Sequence, residues 1–201
     1  MTADFRVKEK SLEELLKVCV IARLSHSDKS VLESFDFVQE INEIIEPPPS
    51  FLYELALYDG NISCIASEGS VPTHIDDLRV VRSWNYLLIA YSKDSAIYTT
   101  DQQDSGNILS SVNCRAGDII RLNIGQWHGL KHGAAPFVID IGASGQLTWV
   151  AFHYQLDSPD DSKAIAYFDR HLTYLKTLLA HRAVMARQKE LLPFLPEGDK
   201  K

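Results

Sequence analysis

Between residues 51 and 155, short apolar runs alternate with turns, and no stretch shows the three-and-four spacing of a helix. The runs are Phe51–Tyr58, Asn61–Ser67, Val80–Tyr91, Ala96–Thr100, Ile108–Val112, Ile119–Ile124, Phe137–Ile141 and Leu147–Tyr154. Asp59-Gly60-Asn61, between the first two, is a hairpin signal. Strands this closely spaced bury their apolar faces against one another, so the segment predicts a sandwich or a barrel.

The flanks read differently. Residues 10–46 are expected to be helical. Ser11-Leu12-Glu13-Glu14 has the form of a capping box, with Leu15, Leu16, Cys19 and Val20 following on one side. Ser30-Val31-Leu32-Glu33 repeats the signal ahead of Phe35, Val38, Ile41 and Ile45. Pro47-Pro48-Pro49 then stops helical structure, since proline lacks the amide donor and restricts the residue before it. Residues 158–195 predict a second helical region. There Ser158 is the expected cap, Pro159 the first-turn residue, and Asp160 and Asp161 the acids at the positive helix end. Ile165, Phe168, Leu172, Leu175 and Leu179 form a seam that suits either the β region or a second copy of the chain, and a homodimer is expected. The predicted organisation is an N-terminal helical segment (1–50), a β domain (51–155) and a C-terminal helix with a polar tail (156–201).

Composition excludes several classes of function. A net charge of −7 leaves no general basic face for nucleic acid or an anionic membrane. No apolar stretch approaches the roughly 20 residues of a spanning helix. Met1–Arg6 carries no basic region ahead of an apolar run, so no signal peptide is expected. Cys19, Cys64 and Cys114 are widely spaced, with no Cys-x-x-Cys pair, and read as free thiols in a reducing cytoplasm. Cys64 and Cys114 are expected to be small buried hydrophobes. The phosphate-binding loop, dinucleotide fingerprint, serine-hydrolase elbow and zincin helix motif are all missing from the sequence.

Two segments concentrate chemistry. Pro72-Thr73-His74-Ile75-Asp76 places a histidine and a carboxylate two residues apart, and alternate residues on a strand share a face. Gly117 to His128 runs as a strand pattern (Ile119, Ile120, Leu122, Ile124) into a glycine turn that presents His128 beside Trp127. Together His74, Asp76 and His128 make a candidate three-ligand metal site with open coordination positions, suited to Fe(II), Mn(II) or Zn(II). Trp84 is expected in the core. His132 is expected in a surface loop, and His153, His171 and His181 in structural roles.

Gly117, Gly125 and His128 resemble the second conserved motif of the cupin superfamily, where a second glycine follows the first by eight residues and the metal histidine comes three later. Asn123 stands where cupins usually carry proline, and His132 where they usually carry asparagine. The first glycine would open a strand, and the second would allow a tight turn with positive φ that aims His128 into a barrel. The first cupin motif has His-x-His followed by a glutamate. Here Asp76 takes the second position, and Val80 or Val81 stands in place of the glutamate. The resemblance implies a mainly β, cupin-type double-stranded β-helix (a jelly-roll barrel) over about 51–155, flanked by the helical ends.

The His-x-Asp…His set also resembles that of iron and 2-oxoglutarate dependent oxygenases on the same fold. That likeness implies Fe(II) on His74, Asp76 and His128, with 2-oxoglutarate as a candidate co-substrate. Many such enzymes hold the distal carboxylate with an arginine shortly after the last histidine, but none lies between His128 and Arg170. Asn85-Tyr86-Leu87-Leu88…Lys93 instead looks like the Asn-Tyr…Lys segment of the jumonji-type subgroup. This implies Lys93 as the carboxylate binder and a catalytic residue, with Asn85 and Trp127 also at the cofactor; Ser92-Lys93-Asp94-Ser95 reads equally as a solvated hairpin turn. Gln126-Trp127-His128 followed by Phe137-Val138-Ile139-Asp140 is similar to a segment of ureidoglycolate lyases, which implies Arg79 or Arg82 as holder of a substrate carboxylate. These resemblances cover residues 70–142 only. The expected function is a metal enzyme on a small organic molecule, with an Fe(II)-dependent oxygenase first, a ureidoglycolate lyase-like enzyme second, and a non-catalytic cupin third.

Overall fold

The computed structural model describes residues 14, 16–34, 52–56, 63–76, 84–103, 106–133 and 147–191. In chain order the elements are β1 (Cys19–Arg23), α1 (His26–Glu33), β2 (Leu52–Ala56), β3 (Ser63–Ser67), β4 (Val71–His74) and β5 (Trp84–Ser92), then β6 (Ser95–Thr100), β7 (Ile108–Asn113), β8 (Asp118–Asn123), β9 (Trp127–His132), β10 (Trp149–Leu156) and α2 (Asp161–Leu191). The strands form two antiparallel sheets, ordered β1-β8-β5-β10-β3-β2 and β4-β9-β6-β7. From β3 onward the pairing is nested: β3 with β10, β4 with β9, β5 with β8, β6 with β7. Successive nested pairs fall in alternate sheets. The result is one long antiparallel hairpin rolled into two facing layers, the jelly roll.

The central strand β5 shows why this region reads as apolar on both sides. Its odd and even residues serve two different cores. Trp84, Tyr86, Leu88 and Ala90 join an outer cluster with Phe152, Tyr154, Phe168, Leu172 and Leu175, between the six-stranded sheet and the helices. Leu87 and Ile89 join an inner cluster with Val71, Ile97, Leu122, Leu130 and Trp149, between the sheets. Trp84 is therefore core, as its sequence suggests.

Helix α2 docks on its own barrel through Ala164, Phe168, Leu172 and Leu175, while Val184 and Met185 farther along are exposed. Its cap is Asp160, whose Oδ1 accepts the Lys163 N–H at 2.9 Å, so the helix starts two residues later than a Ser158 cap implies. Arg121 is fully buried at this end of α2. Its guanidinium donates to both oxygens of Asp161, at 2.8 and 2.9 Å, and the Tyr86 hydroxyl donates to the same carboxylate at 3.1 Å. Burial and the adjacent carboxylate push the Tyr86 hydroxyl pKa up.

The N-terminal prediction needs correction. Cys19 and Val20 lie in a strand, not a helix, paired with β8 at the sheet edge. The β-branched Val18, Val20 and Ile21 suit a pleated surface, and the free edge of β8 supplies the backbone partners that local helix signals do not. Ser30 sits inside α1. The cap is Ser25, which accepts the Asp28 N–H at 3.2 Å. Apart from Glu14, the first capping box lies outside the described residues, as do the stretch with Phe35, Val38, Ile41 and Ile45, the prolines and the segment Phe137–Ile141. The strands β4 and β9 have no apolar run to announce them; they carry the site.

Candidate metal centre

His74 ends β4, and His128 is the second residue of β9. The two strands pair so that these residues face each other directly, with ring centroids 4.5 Å apart. Asp76 follows β4 by two residues and turns its carboxylate to both rings. His74 Nε2 lies 3.4 Å from Asp76 Oδ1, and His128 Nε2 lies 3.6 Å from the same oxygen. The three ligand atoms fall within 4.8 Å of one another.

The other side of each ring is tied down in the same way. Nδ1–H of His74 donates to the Pro72 carbonyl and Nδ1–H of His128 to the Gln126 carbonyl, each at 2.8 Å. A carbonyl only accepts, so Nδ1 carries the proton and Nε2 of each neutral ring presents its lone pair. Two ligand bonds of about 2.1 Å meeting at 90–110° set donor atoms about 3.0–3.4 Å apart, near the two His–Asp76 spacings found here. The residues fit a divalent metal: two oriented imidazoles and one carboxylate on one side, with the remaining positions open.

The turn that delivers His128 differs from its expected geometry. Gly117, ahead of β8, has φ +88°, but Gly125 is not among the glycines with positive φ. Asn123 closes the turn instead, its Oδ1 accepting the Gly125 N–H at 2.8 Å. Gly129 is a requirement that the sequence did not reveal. A Cβ there would come within 2.6 Å of the Tyr98 hydroxyl and 2.8 Å of the Val71 carbonyl oxygen. Its bare backbone lets β4 and Tyr98 close on β9 beside His128.

The three residues open onto a cavity of about 370 Å³ between the sheets. Val71, Leu87, Ile97, Leu122, Leu130 and Trp149 form its apolar wall. Asn85, His153 and Gln155 add polar groups from the inner faces of β5 and β10. Asn85 donates through Nδ2 to Asp76 Oδ2 at 2.9 Å, which holds the carboxylate. Asn85 is therefore at the site, as a support of Asp76. Sequence reading placed His153 in a structural role; it lines the cavity instead. Only the strand register, which puts it on the inner face of β10 opposite Leu87, reveals this.

Electrostatics follow from the geometry. Burial works to raise the Asp76 pKa, but the hydrogen bonds and charges of His128 and His74 outweigh it and hold the carboxyl well below its usual range. Burial works to lower the His74 pKa, yet the Asp76 carboxylate and the Pro72 contact prevail, and the net shift is upward. Burial pushes the His153 pKa down to about 4, so this ring is neutral at ordinary pH.

Two expected participants are elsewhere. Lys93 is exposed in the β5–β6 turn, eight residues and about 25 Å of strand beyond Asn85, and does not line the cavity. Its solvated-turn character prevails. Trp127 alternates with His128 on β9 and points to the opposite face, outside the cavity. His132 ends β9 and is half-buried, with its N–H on Ser70 Oγ at 3.0 Å, rather than in a surface loop. His171 packs edge-on against Phe152 in the outer core, and His181 is exposed on α2. Arg79 and Arg82 lie outside the described residues.

No protein-family model and no curated protein matches this sequence. Solved structures do resemble it. One is a cupin superfamily protein from Desulfitobacterium hafniense DCB-2, at 13% identity and TM-score 0.34, covering 57% of this chain and 86% of that one. The chain's own nested strand pairing is that of a double-stranded β-helix. AviO1 from Streptomyces viridochromogenes Tue57 is similar at 10% identity and TM-score 0.42, over 72% of this chain and 92% of its own. HygX from Streptomyces hygroscopicus, with nickel and 2-oxoglutarate bound, is similar at 11% identity and TM-score 0.42, over 71% and 83%. The chemistry rests on the residues of this chain.

Proposed function

We propose that this chain is a mononuclear metal enzyme on the cupin fold, holding Fe(II) with His74, Asp76 and His128 and oxidising a small organic molecule with O₂. One observation carries the reading: two imidazoles whose Nδ1 atoms are fixed by their own strands and whose Nε2 atoms converge on one carboxylate oxygen. One ring is buried and the other two groups are part-exposed toward the cavity, and this arrangement of two imidazoles and a carboxylate suits a divalent ion. When bound, Fe(II) supplies a redox-active Lewis acid with coordination positions facing the cavity. Asn85 orients Asp76, His153 contributes a neutral imidazole, and the apolar wall excludes water from the reacting molecule. Among the described lining residues there is no lysine or arginine, so the version in which Lys93 anchors 2-oxoglutarate is not carried forward.

The reading includes a cytoplasmic location, supported by the free thiols Cys19 and Cys114, and a homodimer, supported by the exposed apolar residues near the end of α2. Among the described residues, no helix is long and apolar enough to cross a membrane. The function is tested by reconstituting purified chain with Fe(II) under anaerobic conditions and measuring metal content after desalting. One equivalent retained by the natural chain and lost from His128→Ala is the expected result. No retention, or retention by both, points instead to a non-catalytic cupin.

A further inference from the structure

Asn85 is 5% exposed, and its side chain lines the cavity beside the proposed ligands. Its orientation is chemically determined. Asp76 Oδ2 accepts from it at 2.9 Å, and an ionised carboxylate does nothing but accept, so the amide nitrogen must face Asp76. The amide oxygen is then left over. It is buried and has no hydrogen-bond partner among the described residues. A buried carbonyl oxygen without a donor is an unusual and costly feature, one that a ligand can satisfy.

We propose that Asn85 Oδ1 is the acceptor of a substrate subsite, and that the cavity takes a neutral, mainly apolar molecule carrying an O–H or N–H donor. The inference rests on the proposed function and names its substrate class. The wall dictates the apolar body: Leu122 pairs with Asn85, Leu87 follows it on the same face of β5, and Trp149 lines the far end of a cavity whose volume of about 370 Å³ is that of a small-molecule site. Neutrality follows from the partial charges around Asn85. Its oxygen and the Asp76 carboxylate both present negative ends, which disfavours an anion, and on the proposed reading that carboxylate is taken up by the metal and the Asn85 amide, which leaves little for a cationic substrate. A donor on the ligand completes the Asn85 oxygen, which faces the cavity beside Asp76. Gln155, opposite Asn85 in the β10–β5 register, flanks the same point.

The test uses the full chain, metal-free and loaded with Zn(II), and two probes of matched shape. Benzyl alcohol carries the donor; ethylbenzene replaces its hydroxyl with a methyl. Affinities for both are measured by NMR titration on the natural chain and on Asn85→Leu. The expected result is a change of about tenfold in the affinity ratio, toward ethylbenzene, on substitution. On the unaltered chain, the side-chain carbonyl ¹³C resonance of Asn85 should move with benzyl alcohol and stay still with ethylbenzene. An unchanged ratio or an unmoved carbonyl overturns the proposal, and if Asn85→Leu does not fold, the carbonyl resonance decides alone. The metal-free arm separates the two readings. A chain that binds no Zn(II) yet discriminates the probes sinks the metal centre and keeps the subsite. A Zn(II)-loaded chain that fails to discriminate keeps the metal centre and sinks the subsite.

Discussion

Two polar constellations lie on opposite faces of the six-stranded sheet, and they are built to different ends. On the outer face, Arg121, Asp161 and Tyr86 close on one another at 2.8–3.1 Å, with both carboxylate oxygens engaged. On the inner face, His74 and His128 stand 3.4 and 3.6 Å from Asp76, too long for good hydrogen bonds, and open onto a cavity. The first set joins α2 to the barrel. The second holds its donor atoms near each other without joining them. Closure marks a structural role, and convergence without closure marks a site waiting for a further atom.

Substitutions in the two sets should therefore separate stability from metal binding. Asp161→Ala strands a buried guanidinium and is expected to cost about 3–5 kcal/mol in denaturant unfolding, with metal content unchanged. His74→Ala should do the opposite, abolishing metal retention while costing less than about 1 kcal/mol, because its side chain is 41% exposed. If both variants lose stability alike and metal alike, the distinction between the faces is broken.

Smaller effects sharpen it. Asn85→Ala frees Asp76 and should weaken metal affinity about 10- to 100-fold by competition titration, without removing a ligand. Gly129→Ala pushes a methyl onto Tyr98 and the Val71 carbonyl. It should cost about 1–3 kcal/mol and lower metal affinity with it, since β4 carries His74.

The pH dependence has a definite sign. The His74 pKa is raised in the metal-free fold, so its contribution to stability is full below about pH 6.5 and is lost as pH climbs through the raised value. Metal affinity runs the other way, rising with pH as the proton that competes for Nε2 leaves. Unfolding midpoints and metal titrations across that range, on one sample, should move in opposite directions.

How much of this was legible in the sequence varies with the kind of signal. The β domain was, because apolar runs such as Ile119–Ile124 advertise strands that are buried on both faces. The triad was legible as a set of residue types at useful spacing. Its supports were legible only in part, since resemblance put Asn85 at the site but not on Asp76. Asn85, His153 and Gly129 acquire their roles only from register and close approach across strands far apart in sequence. Lys93 and Trp127 misled for the reciprocal reason: a local likeness says nothing about which end or face of a strand a side chain occupies. At the N-terminus, capping signals around Ser11 and Ser30 implied two helices across residues 10–46, whereas the open edge of β8 recruits Cys19–Arg23 as a strand.

The most direct test of the central claim is iron K-edge X-ray absorption on the chain after anaerobic loading with one equivalent of Fe(II). The account predicts nitrogen and oxygen ligands at about 2.0–2.2 Å with the outer-shell scattering of two imidazoles, a signal absent from His128→Ala, which does not retain the iron. Iron with no imidazole scattering, or an identical spectrum from His128→Ala, would contradict it.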